Sequence, residues 1–239
     1  NVGSGGAVFS ESKQEAFRQH FPNVFISNSF GSSESGNMGF DGGGKKGQGL
    51  GNVVKSEFMS VISDTKGEPH RHVESGEMGI FARSGHIPVG YYNDPEKTAR
   101  TFVDVEGQRW LLTGDEARLE EDQTITVYGR GSNCINSGGE KIFPEEVEQA
   151  LKSHPDIFDC LVVGTPDERF GSKVSAVVQV RGDAALTLES VQEEARKHVA
   201  GYKVPRELHV VTEVPRAPSG KPAYPKALEI ALAGEHLVA

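Results

Sequence analysis

The 239-residue sequence predicts an α+β fold in two parts. Short β-type runs separated by turns dominate residues 53–83, whereas helical and strand patterns alternate after Arg130. A polar stretch without apolar periodicity, Gly131-Ser132-Asn133, separates the two parts. We therefore expect a small β-rich subdomain followed by a compact α+β domain.

In the first part, residues 10–20 predict a short helix that Ser10 can cap. Residues 23–29 predict an apolar strand that ends in a Gly/Ser turn. Two β-type runs within 53–83, and a third at 125–128, predict further short strands.

In the second part, Pro144 suits the first position of a helix, and the acids that follow it complement the helix dipole. Ser153-His154-Pro155 should end that helix. The remaining predicted elements are buried strands at 157–164 and 173–180, a helix at 187–200 and a last strand at 207–214.

Charge and composition exclude several classes of protein. The 25 Lys and Arg residues against 34 Asp and Glu residues give a formal net charge of −9, which argues against a nucleic-acid partner because nucleic-acid binders usually present a basic face. No apolar run approaches the roughly 18 residues of a membrane helix, so we expect no membrane span. Two cysteines without a CxxC pattern argue against a disulfide scaffold or a structural zinc site. No signal peptide is recognisable, and we expect a cytoplasmic protein.

Two weak motifs are set aside. The string Gly42-x-Gly44-x-x-Gly47 has no strand before it and no helix after it, which favours a surface loop over a nucleotide site. His70 and His72 are better explained by a solvated turn than by a metal site.

Four segments carry side chains that suit nucleotide chemistry. Residues 29–34 (SFGSSE) combine an aromatic ring for purine stacking, hydroxyls for phosphate oxygens and a carboxylate for Mg²⁺. Asp115, on a predicted tight turn, can accept hydrogen bonds from both hydroxyls of a ribose. Arg130 is followed by the glycine-rich residues 137–140 (SGGE), and residues 218–221 (PSGK) place a lysine at the end of a Pro/Gly loop.

The order of these segments resembles the C-terminal portion of the adenylate-forming superfamily, most closely the fatty-acyl-CoA synthetases. The strings that carry the resemblance are GSGGA (3–7), FGSSE (30–34), GYYNDPEKTARTF (90–102), WLLTGD (110–115), YGR (128–130), SGGEKIFPEEVE (137–148), VVGTPDERFG (162–171), GYKVP (201–205) and PSGK (218–221). They cover nearly the whole chain. The implied enzyme is an acid–thiol ligase, which uses ATP to convert a fatty acid into an acyl-AMP and then transfers the acyl group to CoA.

The resemblance implies a site for ATP and AMP. Its expected members are Gly5, Gly6, Ala7, Ser29, Phe30, Gly31, Ser32, Ser33, Asp115 and Arg130. The Gly5–Ala7 backbone would form a wall of the adenine pocket, and Phe30 would stack on adenine. Ser33 stands where the family usually has Thr at the α-phosphate. Asp115, assisted by Arg130, would hold the ribose hydroxyls.

The resemblance also implies the catalytic groups. Glu34 matches the carboxylate that binds Mg²⁺, and Lys221 matches the catalytic lysine of the adenylation step. Gly131 and Ser132 occupy the hinge, where the family more often has Asp or Lys at the second position. The loop expected to enter the site for the thioester step consists of Ser137, Gly138, Gly139 and Glu140.

These matches imply a domain organisation. Residues 1–130 would be the C-terminal part of the large AMP-binding domain, including a small β-barrel-like subdomain. Residues 131–132 would be the hinge, and residues 133–239 the mobile C-terminal domain. The family's Ser/Thr/Gly-rich phosphate loop is not among the 239 residues, and the chain starts on a glycine cluster without Met. We therefore expect part of a longer ligase, inactive by itself.

Two alternatives stay open. One is a non-catalytic remnant that binds AMP or a protein partner. The other is an acyl-AMP ligase, or an adenylation domain that serves a carrier protein, because these branches share the same motifs. The sequence does not define the acyl chain, the acceptor or the origin of the fragment, and it leaves open whether the protein forms homo-oligomers.

Overall fold

The computed structural model describes residues 1–5, 11–41 and 51–234. Its helices and strands confirm the predicted α+β class. The glycine run at 42–47 and the predicted site residues Gly6 and Ala7 lie outside the described residues. Among the helices of the described ranges, none is both long and apolar enough to cross a membrane.

The elements follow the chain in this order. The first are β1 (Val2–Gly5), α1 (Glu11–His20), β2 (Ile26–Ser32), β3 (Gly36–Asp41), β4 (Gly51–Val54), β5 (Met59–Ile62), β6 (Met78–Arg83), α2 (Pro95–Thr101), β7 (Phe102–Val105), β8 (Gln108–Leu119) and β9 (Thr124–Arg130). A short 3₁₀ helix, Gly131–Asn133, follows. The last are β10 (Ile135–Ser137), β11 (Glu140–Ile142), α3 (Pro144–Leu151), β12 (Ile157–Asp167), β13 (Gly171–Val180), α4 (Leu188–Arg196), β14 (Glu207–Val211) and α5 (Tyr224–Ala233).

The chain divides into two compact units. Of the described residues, 1–5, 24–41 and 51–132 form the first unit, and 11–23 and 133–234 form the second. Helix α1 thus groups with the second unit, although it precedes β2 in the sequence. The predicted hinge residues Gly131 and Ser132 lie in the short 3₁₀ helix. Their role as a hinge, and the domain boundaries drawn from it, stay predictions.

The first unit consists mainly of two sheets. In the smaller one, β1 pairs parallel with β2, and β2 pairs antiparallel with β3. The larger is a curled sheet in the order β4-β9-β8-β6-β5, with β7 paired to the first part of β8. Val61, Phe81 and Ile125 are completely buried in its core. The barrel-like arrangement of this subdomain stays a prediction.

The second unit has a central sheet covered on both faces. Strand β13 pairs antiparallel with β12 and parallel with β14. Successive side chains of a strand point to opposite faces, so β12 is apolar on both. Cys160 and Val162 pack with α3 and α4, whereas Leu161 and Val163 pack with α5. The strong apolar run in this strand therefore follows from a position between two layers of helices.

The helices and strands predicted for the second unit are confirmed, with shifted ends. Pro144 begins α3, and β12 and β13 extend the predicted strands to the turn that joins them. Thr187 caps α4 by accepting a hydrogen bond from the backbone nitrogen of Ser190. This helix ends at Arg196, four residues before the predicted end, and the predicted last strand is β14.

Candidate functional site

Asp115 and Arg130 form an ion pair in the first unit. They are direct partners in the register of β8 and β9, and Arg130 Nε lies 3.0 Å from Asp115 Oδ1. The predicted tight turn at Asp115 was wrong. The positive φ of Gly114, +80°, is accommodated inside the long strand β8 instead. Register, rather than a turn, therefore positions the carboxylate.

The surroundings of Asp115 leave it both oriented and accessible. Burial raises its pKa, and the charge of Arg130 opposes that rise. The Thr113 hydroxyl donates to the Phe81 carbonyl and accepts from the Asp115 backbone nitrogen. With its side chain 26% exposed, Asp115 keeps access to a ligand. Sequence reasoning missed the part played by Thr113, although the TGD string contains it.

Glu34 lies between β2 and β3 and is bound by a tyrosine that sequence reasoning missed. Tyr91 Oη donates to Glu34 Oε1 over 2.7 Å, and this hydrogen bond is the largest cause of the lowered pKa of Glu34. Lys97 Nζ lies 3.8 Å from the centre of the Tyr91 ring. The only sequence signal was the place of Tyr91 in the GYYNDPEKTARTF string.

Helix α2 holds Tyr91 in place. Asp94 caps the helix by accepting from the Lys97 backbone nitrogen, and Thr98 donates to the Asp94 carbonyl. The Thr98 hydroxyl in turn accepts from the Tyr91 backbone nitrogen over 2.9 Å. The tyrosine that contacts Glu34 is thus fixed by the start of a capped helix.

The predicted phosphate and adenine residues lie in and after β2. Ser29 donates its hydroxyl to the Ser4 carbonyl, and the Ser32 hydroxyl bonds to that of Ser35, so both also serve the fold. Ser33 is exposed, and Phe30 lies in β2. A Cβ added at Gly31 would collide with the Gly36 carbonyl, and one at Gly5 would lie 2.9 Å from Ser29 Oγ. Contact of these residues with a nucleotide stays a prediction.

A single carboxylate such as Glu34 fits the needs of Mg²⁺, which is commonly held by one or two carboxylates together with substrate phosphates. Across residues 1–5, 11–41 and 51–234, no three His, Cys, Asp or Glu side chains cluster as a metal site of their own. Binding of Mg²⁺ by Glu34 stays a prediction.

The glycine loop, residues 137–140, is a two-residue hairpin between β10 and β11. Gly138 and Gly139 both have positive φ, +61° and +89°, as a type I′ turn requires. The backbone nitrogen of Gly138 donates to the Phe170 carbonyl over 2.9 Å. A Cβ at Gly138 would lie 2.9 Å from the Phe170 ring. Asp167 Oδ1 accepts from the Phe170 backbone nitrogen, so the glycine loop is tied to the turn that joins β12 and β13.

The lysine loop, residues 217–221, precedes α5. It is closed by backbone hydrogen bonds from Ala217 to the Lys221 carbonyl and from Gly220 to the Ala217 carbonyl. Gly220 has a φ of +80°, and Lys221 is exposed. Arg216, just before the loop, binds Asp159 near the start of β12.

The two loops thus lie at opposite ends of one hairpin. The glycine loop contacts the turn after Asp167, and Arg216, which directly precedes the lysine loop, is bound to Asp159. Eight residues of extended chain separate these two acids, or about 26 Å. The second unit presents a lysine at one end and a two-glycine turn at the other.

Known proteins match this chain over both units. Residues 146–221 match the family model of the AMP-binding enzyme C-terminal domain. The 3-oxocholest-4-en-26-oate–CoA ligase of Rhodococcus rhodochrous is 48% identical over 227 residues, which cover 93% of this chain and 40% of that protein. The chain belongs to the adenylate-forming superfamily. A medium/long-chain-fatty-acid–CoA/3-oxocholest-4-en-26-oate–CoA ligase of Mycobacterium tuberculosis is 47% identical over 236 residues, or 95% of this chain and 42% of that protein.

The fold of the superfamily is also found in solved structures that match this chain. The amide bond synthetase of Marinactinospora thermotolerans is 27% identical, with a TM-score of 0.78 over 96% of this chain and 46% of the synthetase. The chain spans about two fifths of the length of the two curated CoA ligases.

Proposed function

We propose that the protein to which this chain belongs is an ATP-dependent acyl-CoA ligase for fatty acids or steroid side-chain acids. The observation that carries the proposal is the placement of two chemically different loops at opposite ends of the β12–β13 hairpin, which suits two successive half-reactions. The names of the relatives, both CoA ligases, support the substrate classes.

In the first half-reaction, a carboxylate oxygen of the acid attacks the α-phosphorus of ATP. The bond from that phosphorus to the bridging oxygen breaks, and pyrophosphate leaves with its electrons. The Lys221 ammonium stabilises the negative charge that builds on the phosphate oxygens. Asp115 accepts from the ribose hydroxyls and Phe30 stacks on adenine, while Glu34 binds the metal. Mg²⁺, when bound, neutralises part of the phosphate charge.

In the second half-reaction, the thiolate sulfur of CoA attacks the acyl carbonyl carbon. The bond from that carbon to the phosphate oxygen breaks, and AMP leaves. We propose that residues 133–239 rotate about Gly131 and Ser132 between the steps, which removes Lys221 and brings in the glycine loop. Residues 1–239 alone should lack ligase activity, since the family's phosphate loop is not among them.

The test is product detection with the complete gene product, ATP, CoA and either a series of fatty acids or 3-oxocholest-4-en-26-oate. We expect acyl-CoA by mass spectrometry, and K221A should abolish acyl-AMP formation yet still convert supplied acyl-AMP to acyl-CoA. If K221A loses both half-reactions equally, the role of Lys221 is wrong. Robust acyl-CoA formation by residues 1–239 alone would contradict the expected inactivity.

A different acyl acceptor is the second candidate. The match to an amide bond synthetase supports it, since that fold serves an acceptor other than a thiol. Accumulation of acyl-AMP without acyl-CoA would favour this candidate or a carrier-protein acceptor. Binding of AMP with no turnover of any acid would instead favour a non-catalytic module.

A further inference from the structure

Arg216 links two segments of the second unit that are distant in sequence. Its Nε and Nη2 donate to the two carboxylate oxygens of Asp159 over 2.7 and 2.9 Å. Its third nitrogen, Nη1, donates to the Gly220 carbonyl over 3.0 Å. Paired hydrogen bonds between a guanidinium and a carboxylate fix orientation as well as distance. We call Arg216 and Asp159 the clamp.

The clamp acts on the backbone that carries Lys221. The Gly220 carbonyl belongs to the peptide group that joins Gly220 to Lys221, so Arg216 holds the peptide group directly before the Cα of Lys221. The Lys221 carbonyl is held separately by the Ala217 backbone nitrogen. The backbone of Lys221 is therefore held on both sides of its Cα, although the side chain is exposed.

Asp159 gives the clamp a rigid support. It lies in β12 beside the fully buried Cys160, and Lys152 Nζ at the end of α3 also contacts its carboxylate over 3.2 Å. The clamp is therefore attached to the central sheet and not to another loop. At the far end of β12, Asp167 accepts from the Arg169 and Phe170 backbone nitrogens and supports the glycine loop in a comparable way.

We propose that Arg216 and Asp159 are positioning residues for adenylation and that Asp167 is a positioning residue for the thioester step, an inference that rests on the proposed function. Each loop depends on its own anchor, and the β12–β13 hairpin keeps the anchors apart. A substitution in one anchor, either the Arg216–Asp159 pair or Asp167, should then slow one half-reaction and leave the other unchanged. A merely structural role would impair both together.

The experiment measures each half-reaction separately in the complete gene product. Formation of acyl-AMP from acid and ATP reports adenylation, and conversion of supplied acyl-AMP to acyl-CoA reports the thioester step. R216M keeps an unbranched side chain about as long as the aliphatic part of arginine but removes the guanidinium, and D159N removes the charge of its partner. D167A, which removes the oxygen that accepts from the Arg169 and Phe170 backbone nitrogens, is the corresponding variant at the other anchor. K203M is the control, because it breaks a comparable ion pair with Glu146, 2.6 Å long, that touches neither loop.

We expect R216M to slow adenylation about 100-fold, as displacement of a catalytic group by about 1 Å can do, while the thioester step changes less than about twofold. D159N should give the same pattern with a smaller loss, and D167A should give the opposite pattern. K203M should leave the ratio of the two rates unchanged. Equal losses of both half-reactions in R216M, or the R216M pattern in K203M, would overturn the proposal.

Amide hydrogen exchange of residues 1–239 tests the anchors without turnover. R216M should speed exchange at Ala217 and Gly220 and leave Gly138 unchanged, whereas D167A should speed exchange at Gly138, Arg169 and Phe170 and leave Ala217 and Gly220 unchanged. Unchanged exchange at Ala217 and Gly220 in R216M would show that the clamp does not hold the lysine loop, and would overturn the proposal. If K221A spares adenylation, the proposed function fails instead, and the exchange result still decides whether the clamp orders the loop.

Discussion

Each unit contains a carboxyl group whose pKa is raised, and the two differ in what surrounds them. Glu148 in α3 is 5% exposed, and burial raises its pKa to about 7 against the opposing charge of Lys152. Asp115 in β8 is only partly covered and faces the guanidinium of Arg130. The resemblance to ligases assigns a ligand contact to Asp115 and none to Glu148.

A large pKa shift alone therefore does not identify a carboxylate that binds a ligand. Glu148 Oε1 accepts from the Val162 backbone nitrogen over 3.0 Å and so joins α3 to β12. A group enclosed in this way serves packing. Asp115 combines a fixed orientation with access, which is what binding a ribose requires.

The variant E148Q, for which we expect the largest change in free energy, tests whether Glu148 is a packing group. Its pKa is raised from 4.5 to about 7, so the folded protein keeps a proton that the unfolded chain loses between these values. Stability from this group is therefore complete below pH 4.5 and is lost as the pH rises to 7, by about 3 kcal/mol at about 1.4 kcal/mol per unit. E148Q keeps the accepting oxygen and should remove this pH dependence.

The measurement is the free energy of unfolding in urea from pH 4.5 to pH 8. E148Q should match the unmodified protein near pH 4.5 and exceed it at pH 8. E189Q, in an exposed position at the start of α4, is the control and should follow the unmodified protein. Parallel curves for E148Q and the unmodified protein would show that Glu148 is not the buried acid described.

The variant D115N, with a smaller expected change in free energy, tests whether Asp115 contacts a ligand. D115N removes the charge and one of the acceptors for the ribose hydroxyls, and it leaves Arg130 without its ion-pair partner. We expect AMP to bind about 10-fold more weakly to the complete gene product, which corresponds to one lost hydrogen bond to a charged group. Calorimetric titration measures the affinity.

The matched control is D104N. Asp104 is exposed and accepts from the Gly107 backbone nitrogen in the turn between β7 and β8, so this variant should bind AMP normally. Equal affinities for D115N and the unmodified protein would remove Asp115 from the nucleotide site and leave both raised-pKa acids as structural groups.

The smallest expected change is in the pKa of Glu34, a third carboxyl group, whose pKa is lowered and not raised. Y91F removes the phenolic hydroxyl that is the main cause, so the pKa of Glu34 should rise towards its ordinary value. Carboxyl-carbon NMR titration reports it directly. The control is Y92F, because the neighbouring Tyr92 is 93% exposed. An identical Glu34 titration in Y91F and Y92F would mean that Tyr91 does not lower the pKa of Glu34, the predicted metal ligand.

Elements with strong local signals could be predicted from the sequence. Pro144 followed by acids indicated α3, and apolar runs indicated the buried strands β12 and β13. Helix α5 was missed because its first turn has a proline, as in α3, but no acids after it. Its apolar residues are also explained by packing on β12, which local sequence does not reveal. Strand β2 begins three residues later than predicted, because pairing with β1 and β3 decides its bounds.

The sequence by itself determined the superfamily and the choice of candidate site residues, because both depend on motifs along the chain. The domain boundaries drawn from the same motifs stay predictions. Only the tertiary structure decided which residues support the candidate site residues. Asp115 meets Arg130 through strand register, and Arg216 reaches Asp159 across 57 positions. Tyr91 reaches Glu34 across another 57. Such contacts follow from packing of distant segments, and no local pattern encodes their distances.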